Sequence, residues 1–89
     1  MWSDIDYMDK YQGFTIGQSW SNIKTFTDQI HKDNWYFVPI VDAGIAFKSK
    51  SFTDGKKDNF IKSPVGDDVY FGKVWPGKSA FPDFTNQQT

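Results

Sequence analysis

Met1-Trp2-Ser3-Asp4-Ile5-Asp6-Tyr7-Met8-Asp9 is the stretch that decides how the rest of the chain is read. Its apolar start and its run of carboxylates describe the last turn of a buried strand with acidic residues at its tip. In α/β enzymes the carboxyl ends of strands are where the chemistry collects. On a strand, residues i and i+2 share a face, so Asp4 and Asp6 are expected to point the same way. The alternative is that one of them caps the loop backbone as an Asx-turn.

Outward from this block, 9–19 is polar and punctuated by Gly13 and Gly17, a loop whose middle Phe14 and Ile16 are expected to tuck down. From Asn22 to Lys32 the spacing of Ile23, Phe26 and Ile30, with Thr27 on the same stripe, predicts a helix. Ser19 or Ser21 is expected to cap it, Lys32 to complement its C-terminal dipole, and Asn34 to sit in the left-handed region just beyond. Trp35-Tyr36-Phe37-Val38-Pro39-Ile40-Val41 is continuously apolar, the pattern of a strand buried on both faces. Pro39, which cannot donate to a ladder, conflicts with a central position. Asp42-Ala43-Gly44 closes it. The first half therefore reads as a βαβ unit, for which a right-handed crossover is expected.

The second half changes character. The stretch 47–58 is polar, with a turn at Asp54-Gly55. Asn59 to Lys62 and Val69 to Trp75 read as a hairpin around the loop 63–68, and Pro76-Gly77 turns the chain. Ala80 to Thr89 shows no period.

Composition narrows the classes. The 89 residues carry a net charge of −1 and no basic stripe, which excludes nucleic acid as a natural partner. No apolar run is long enough to span a bilayer. There is no Cys, no Asn-x-Ser/Thr sequon and no visible secretory signal, and compartment stays open. Aromatic residues make up 19% of a chain that lacks Leu and Arg. Rings of this kind fill cores and also stack on sugar faces. Two parallel strands and one helix cannot offset an ordering cost of about 1.5 kcal/mol per residue. The chain therefore reads as one piece, residues 1–89, of a larger (β/α) domain.

Other constellations are weaker. Asp4-x-Asp6 has the spacing with which glycosyltransferases grip a divalent metal. An EF-hand reading fails, because Asp9 and Thr15 stand where Gly and Glu are required. His31, among charges near a helix end, is a surface residue. Trp75 alone, before Pro-Gly, reads as packing.

In combination the blocks resemble glycoside hydrolase family 31, the α-glucosidase group. The residues that carry the resemblance are Trp2 to Asp9, Phe14-Thr15, His31 to Ile45, Gly72-Lys73-Val74-Trp75-Pro76-Gly77 and Phe81-Pro82-Asp83-Phe84-Thr85-Asn86. The resemblance implies an α/β fold, part of a (β/α)8 TIM barrel: the end of strand 2, helix 2, strand 3 and the long hairpin-bearing loop after it. It implies a retaining exo-α-glucosidase acting on an α-glucoside or malto-oligosaccharide, with no cofactor and no metal. Asp4 is expected to bind hydroxyls of the terminal glucose beside a more structural Asp6. Ile5 and Ile45 are expected to wall the −1 subsite, and Trp75 to close it. The family's Asp-Pro-x-Ile is Asp42-Ala43-Gly44-Ile45 here, which leaves the turn that aims Ile45 without its Pro. The family's nucleophile and acid/base blocks are not among these residues, so no residue here is assigned as catalytic. The rest of the domain is required for turnover. The competing readings are a non-catalytic carbohydrate-binding or functionless fragment, and a metal-dependent glycosyltransferase using Asp4 and Asp6.

The isolated chain is expected to be unfolded, aggregated or molten. An NMR spectrum with dispersed amide signals and a cooperative melt from a monomer would contradict this.

Overall fold

A computed structural model describes residues 1–55 and 57–89, which fall into two units, Met1–Val41 and Asp42–Thr89. In the first, strand β1 (Trp2–Ser3) pairs in parallel with β2 (Val38–Pro39), and helix α1 (Ile23–Lys32) lies between them in sequence. This is the strand–helix–strand order expected from the hydrophobic pattern.

The helix obeys its sequence closely. Its half-buried residues are Ile23, Phe26, Thr27 and Ile30, the stripe set by the 3.6-residue period. Phe26 meets Phe37 edge-on, with ring centroids 6.3 Å apart, which ties the helix to the segment entering β2. Asn34 takes the left-handed conformation at φ 60°, and Lys32 lies in the last turn. The cap differs from expectation. Asn22, not a serine, is the N-cap, and its side chain makes no capping bond. Ser21 instead closes a short 3-10 turn over Gln18–Trp20.

The strands are shorter than expected. β1 stops at Ser3, so Asp4 and Asp6 do not sit together on a strand. The chain turns at Asp4 into a 3-10 helix, Ile5–Tyr7. With so short a partner, β2 keeps two residues of the seven-residue apolar run. Trp35, Tyr36 and Val41 are exposed, contrary to burial on both faces. The conflict over Pro39 is resolved by side. Val38 and Ile40 donate to the Met1 and Ser3 carbonyls at 2.8 and 2.9 Å. Pro39, between them, turns its missing N–H away from β1.

The loop 9–19 is organised by a hydroxyl rather than by apolar burial. Thr15 Oγ1 donates to the Gln12 carbonyl at 2.5 Å and accepts from the Asp9 amide at 2.9 Å. Phe14 and Ile16 remain exposed, with Phe14 at φ 62°, so they do not tuck down.

The second unit is a three-stranded antiparallel sheet in the order β3 (Ile45–Ala46), β5 (Gly77–Ala80), β4 (Phe71–Val74). Strands β4 and β5 form a hairpin in which Val74 pairs with Gly77 across the corner Trp75-Pro76. The expected turn is present, but it joins two strands instead of ending one. The expected pairing of 59–62 with 69–75 survives as one bridge, Lys62 with Val69, and a bond from the Tyr70 amide to the Ile61 carbonyl. On its other side Phe60 bridges Pro82.

Helix α2 (Lys50–Gly55) replaces the expected Asp54-Gly55 turn. Six residues are too few to show an apolar period. Buried Ser49 holds its start by accepting the Phe52 amide at 3.2 Å, and Lys50 pairs with Asp54 one turn on. The core of the unit is Ile45, Phe60, Val69 and Ala80, flanked by Phe52 and Phe71. Lys78 covers its edge, with Nζ 4.4 Å from the Phe71 ring centroid and 4.6 Å from that of Phe47.

Gly77 has φ +98°, a conformation that side-chain-bearing residues rarely adopt. Gly77→Ala is expected to destabilise the hairpin by about 1 kcal/mol or more, and Gly77→Asn by less. Denaturant melts of the two variants of the full-length protein check the order.

Candidate functional site

Asp4 lies where β1 ends. Its Oδ1 accepts the Ile5 amide at 2.7 Å, capping the 3-10 helix that follows. The Asx-type cap foreseen for one of the two aspartates therefore belongs to Asp4. Asp6, expected to be the more structural of the pair, lies inside the short helix and is exposed. The Asp4 carboxylate is also exposed, and its Oδ2 makes no hydrogen bond among the described residues. One oxygen thus fixes the group while the other has no protein partner among the described residues. Ile5 is half-buried, and its carbonyl accepts the Met8 amide at 3.0 Å.

Beneath this corner Tyr7 is 8% exposed and donates its hydroxyl to the Ile40 carbonyl at 2.5 Å, tying the short helix to the end of β2. Burial raises its phenol above the ordinary value. The sequence reading missed Tyr7, although an aromatic residue with a polar tip following Asp-Ile-Asp was the signal for a buried anchor.

In the second unit, Asp42 opens an Asx-turn in which its Oδ1 accepts the Gly44 amide at 2.8 Å. The turn is therefore held by the carboxylate without the Pro that the resemblance called for. Asp42 Oδ2 accepts the indole Nε1–H of Trp75. Trp75, at the hairpin corner, keeps 58% of its surface exposed. Gly44 admits close approach here, since a Cβ on it would lie 2.8 Å from Val74 Cγ2.

Ile45 is placed differently from its expected role. It is 2% exposed and sits in the core with Phe60, Val69 and Ala80. Its placement is accounted for by packing. His31 is exposed, as read from the sequence. The block Phe81 to Asn86 is a clasp. Asp83 accepts both the Thr85 hydroxyl, at 2.6 Å, and the Thr85 amide, at 3.0 Å. The Thr85 hydroxyl above all holds the Asp83 carboxyl below its usual pKa. Asn86 reaches the Asp58 carbonyl at 3.1 Å.

Known proteins share this arrangement of segments. All 89 residues match the glycosyl hydrolases family 31 TIM-barrel domain. The chain belongs to this family and, with it, to the barrel-type α/β fold. It is 44% identical over 98 aligned residues to an α-glucosidase of Schizosaccharomyces pombe, covering 96% of this chain and 10% of that protein. To the lysosomal α-glucosidase of Mus musculus it is 38% identical over 95 aligned residues, covering 99% of this chain and 10% of the relative. Among solved structures, a glucosidase II α subunit superposes with a TM-score of 0.72 at 27% identity, over 96% of this chain and 10% of that one. A family 31 α-glucosidase from Bacteroides thetaiotaomicron gives 0.55 at 32% identity, over 99% of this chain and 16% of that one. The chain spans about a tenth of the length of the curated relatives it matches. Among the described residues no helix is long and apolar enough to cross a membrane.

The burial-raised Tyr7 phenol yields a pH prediction. A phenol raised by folding stabilises the unit fully below the unfolded value of about 10 and loses that contribution as pH rises through the folded value. Tyr7→Phe should abolish this alkaline dependence and speed exchange of the Val38 and Ile40 amides about fivefold, for a bond worth ~1 kcal/mol. Hydrogen exchange of the full-length protein across that pH range checks both.

Proposed function

We propose that these residues are a segment of the catalytic barrel of a retaining exo-α-glucosidase that removes terminal α-linked glucose from oligosaccharides. Residues 1–89 then run from the end of barrel strand 2 through helix 2 and strand 3 into the long loop after it. The observation that carries this reading is the end-to-end match to the family's barrel domain. The names of the relatives, α-glucosidases from yeast and mouse, support the substrate class. The parallel strand–helix–strand order of the first unit supports the barrel assignment.

Asp4 is the principal sugar contact in this proposal. An exposed carboxylate with one oxygen held by the backbone and the other without a partner among the described residues is pre-organised to accept hydrogen bonds from sugar hydroxyls. Such a group discriminates between hydroxyl patterns in a way apolar walls cannot. Half-buried Ile5 supplies an apolar neighbour, and exposed Trp75 a face for the CH-rich side of a pyranose. Ile45, a residue of β3, acts through its packing against Phe60, Val69 and Ala80. The retaining reaction needs a nucleophile and an acid/base, and these come from outside the 89 residues.

The runner-up is a chain that binds carbohydrate without turning it over. A chimera in which these residues replace the matching segment of the S. pombe α-glucosidase separates the two. Retained hydrolysis of an aryl α-glucoside supports the enzyme reading, and a folded but inactive chimera supports the alternative. In the full-length protein, Asp4→Ala should lower kcat/KM by roughly ten- to a hundredfold, the range for losing a charged hydrogen bond. Unchanged turnover rejects the role assigned to Asp4.

A further inference from the structure

Asp42 carries two tasks on one carboxylate. Its Oδ1 closes the turn onto the Gly44 amide at 2.8 Å, and its Oδ2 accepts the Trp75 indole N–H, 33 positions further on. No ion pair engages Asp42 among the described residues, so its charge is directed to these two N–H donors. The same turn touches the same hairpin a second time, because Gly44 lies so close to Val74 that a Cβ would meet Cγ2 at 2.8 Å. Trp75 has no ring partner among the described residues, and 58% of it is exposed. An exposed tryptophan at a hairpin corner would ordinarily sample several rotamers, and ordering it on binding costs affinity.

We infer that Asp42 is a positioning residue that locks the Trp75 indole in one orientation before sugar arrives. The inference rests on the reading of Trp75 as a sugar contact. A charge-assisted bond to the only polar atom of the ring fixes its rotation about the side-chain torsions and leaves both faces apolar. The carboxylate is specifically required. Asn has one acceptor oxygen and can keep the Gly44 bond, but its amide nitrogen cannot accept from the indole.

The test uses the full-length protein with Asp42→Asn, Trp75→Phe and the double variant, assayed on an aryl α-glucoside. Asp42→Asn should raise KM roughly three- to tenfold, the range for one partly solvated charged hydrogen bond, with a smaller change in kcat. In the Trp75→Phe background, where no indole N–H remains, the same substitution should add nothing. Fluorine NMR of fluorotryptophan-labelled protein supplies a readout independent of activity, the Trp75 signal being assigned by its loss in Trp75→Phe. That signal should shift and broaden in Asp42→Asn. An unmoved Trp75 signal, or kinetic effects that simply add in the double variant, overturns the positioning role. If Trp75→Phe leaves KM and kcat unchanged while the signal still moves in Asp42→Asn, Asp42 does orient the ring and the sugar-contact reading of Trp75 fails instead.

Discussion

The second unit depends on β5. It is the strand that both β3 and β4 bond, and its Ser79 and Ala80 are fully buried. Ala80 pairs with Ile45 on one side and with Phe71 on the other. Through these pairs the most buried large side chain and the aromatic cluster are held at fixed registers. Gly77 starts the strand in a conformation that suits glycine, and its pairing with Val74 leaves Trp75 at the hairpin corner. The position of the exposed ring is therefore a by-product of how the sheet closes.

What the sequence disclosed follows the strength of each local signal. The stripe of Ile23, Phe26, Thr27 and Ile30 was legible because a ten-residue helix repeats its period often enough to be seen. Asn34 was legible because its residue type fits the left-handed region. Strands of two residues have no period, and the run 35–41 looked like a covered strand although little of it pairs. Helix α2 was hidden for the same reason, its one clue being Ser49 as a cap. Apolar character also misled at Phe14 and Ile16, which stay exposed, since hydrophobicity says that a residue seeks cover and not whether it finds it. Asp4 was legible as a strand-tip carboxylate. Its division of labour, one oxygen for the backbone and one without a partner among the described residues, was not, because it depends on the chain turning helical at Ile5.

Asp4 and Asp42 use one device in different settings. Each gives one oxygen to a backbone amide close by in sequence; the second oxygen of Asp42 accepts the Trp75 indole N–H, and that of Asp4 has no partner among the described residues. Side chains anchored in this way lose little rotamer freedom when a partner arrives. The neutral amide analogue of either residue can keep the anchor and loses acceptor strength at the second oxygen.

Pro39 gives β2 two unequal edges. Toward β1 the donors at Val38 and Ile40 are intact, and on the opposite edge the row of donors is broken where Pro39 stands. Any strand laid along that edge, whether from the same chain or from a neighbouring molecule, finds a missing rung at a fixed place. A gap of this kind penalises slipped or foreign pairings more than the one register that accommodates it. One imino acid in the middle of the most apolar run of the chain thus leaves that edge a poorer template for strand pairing.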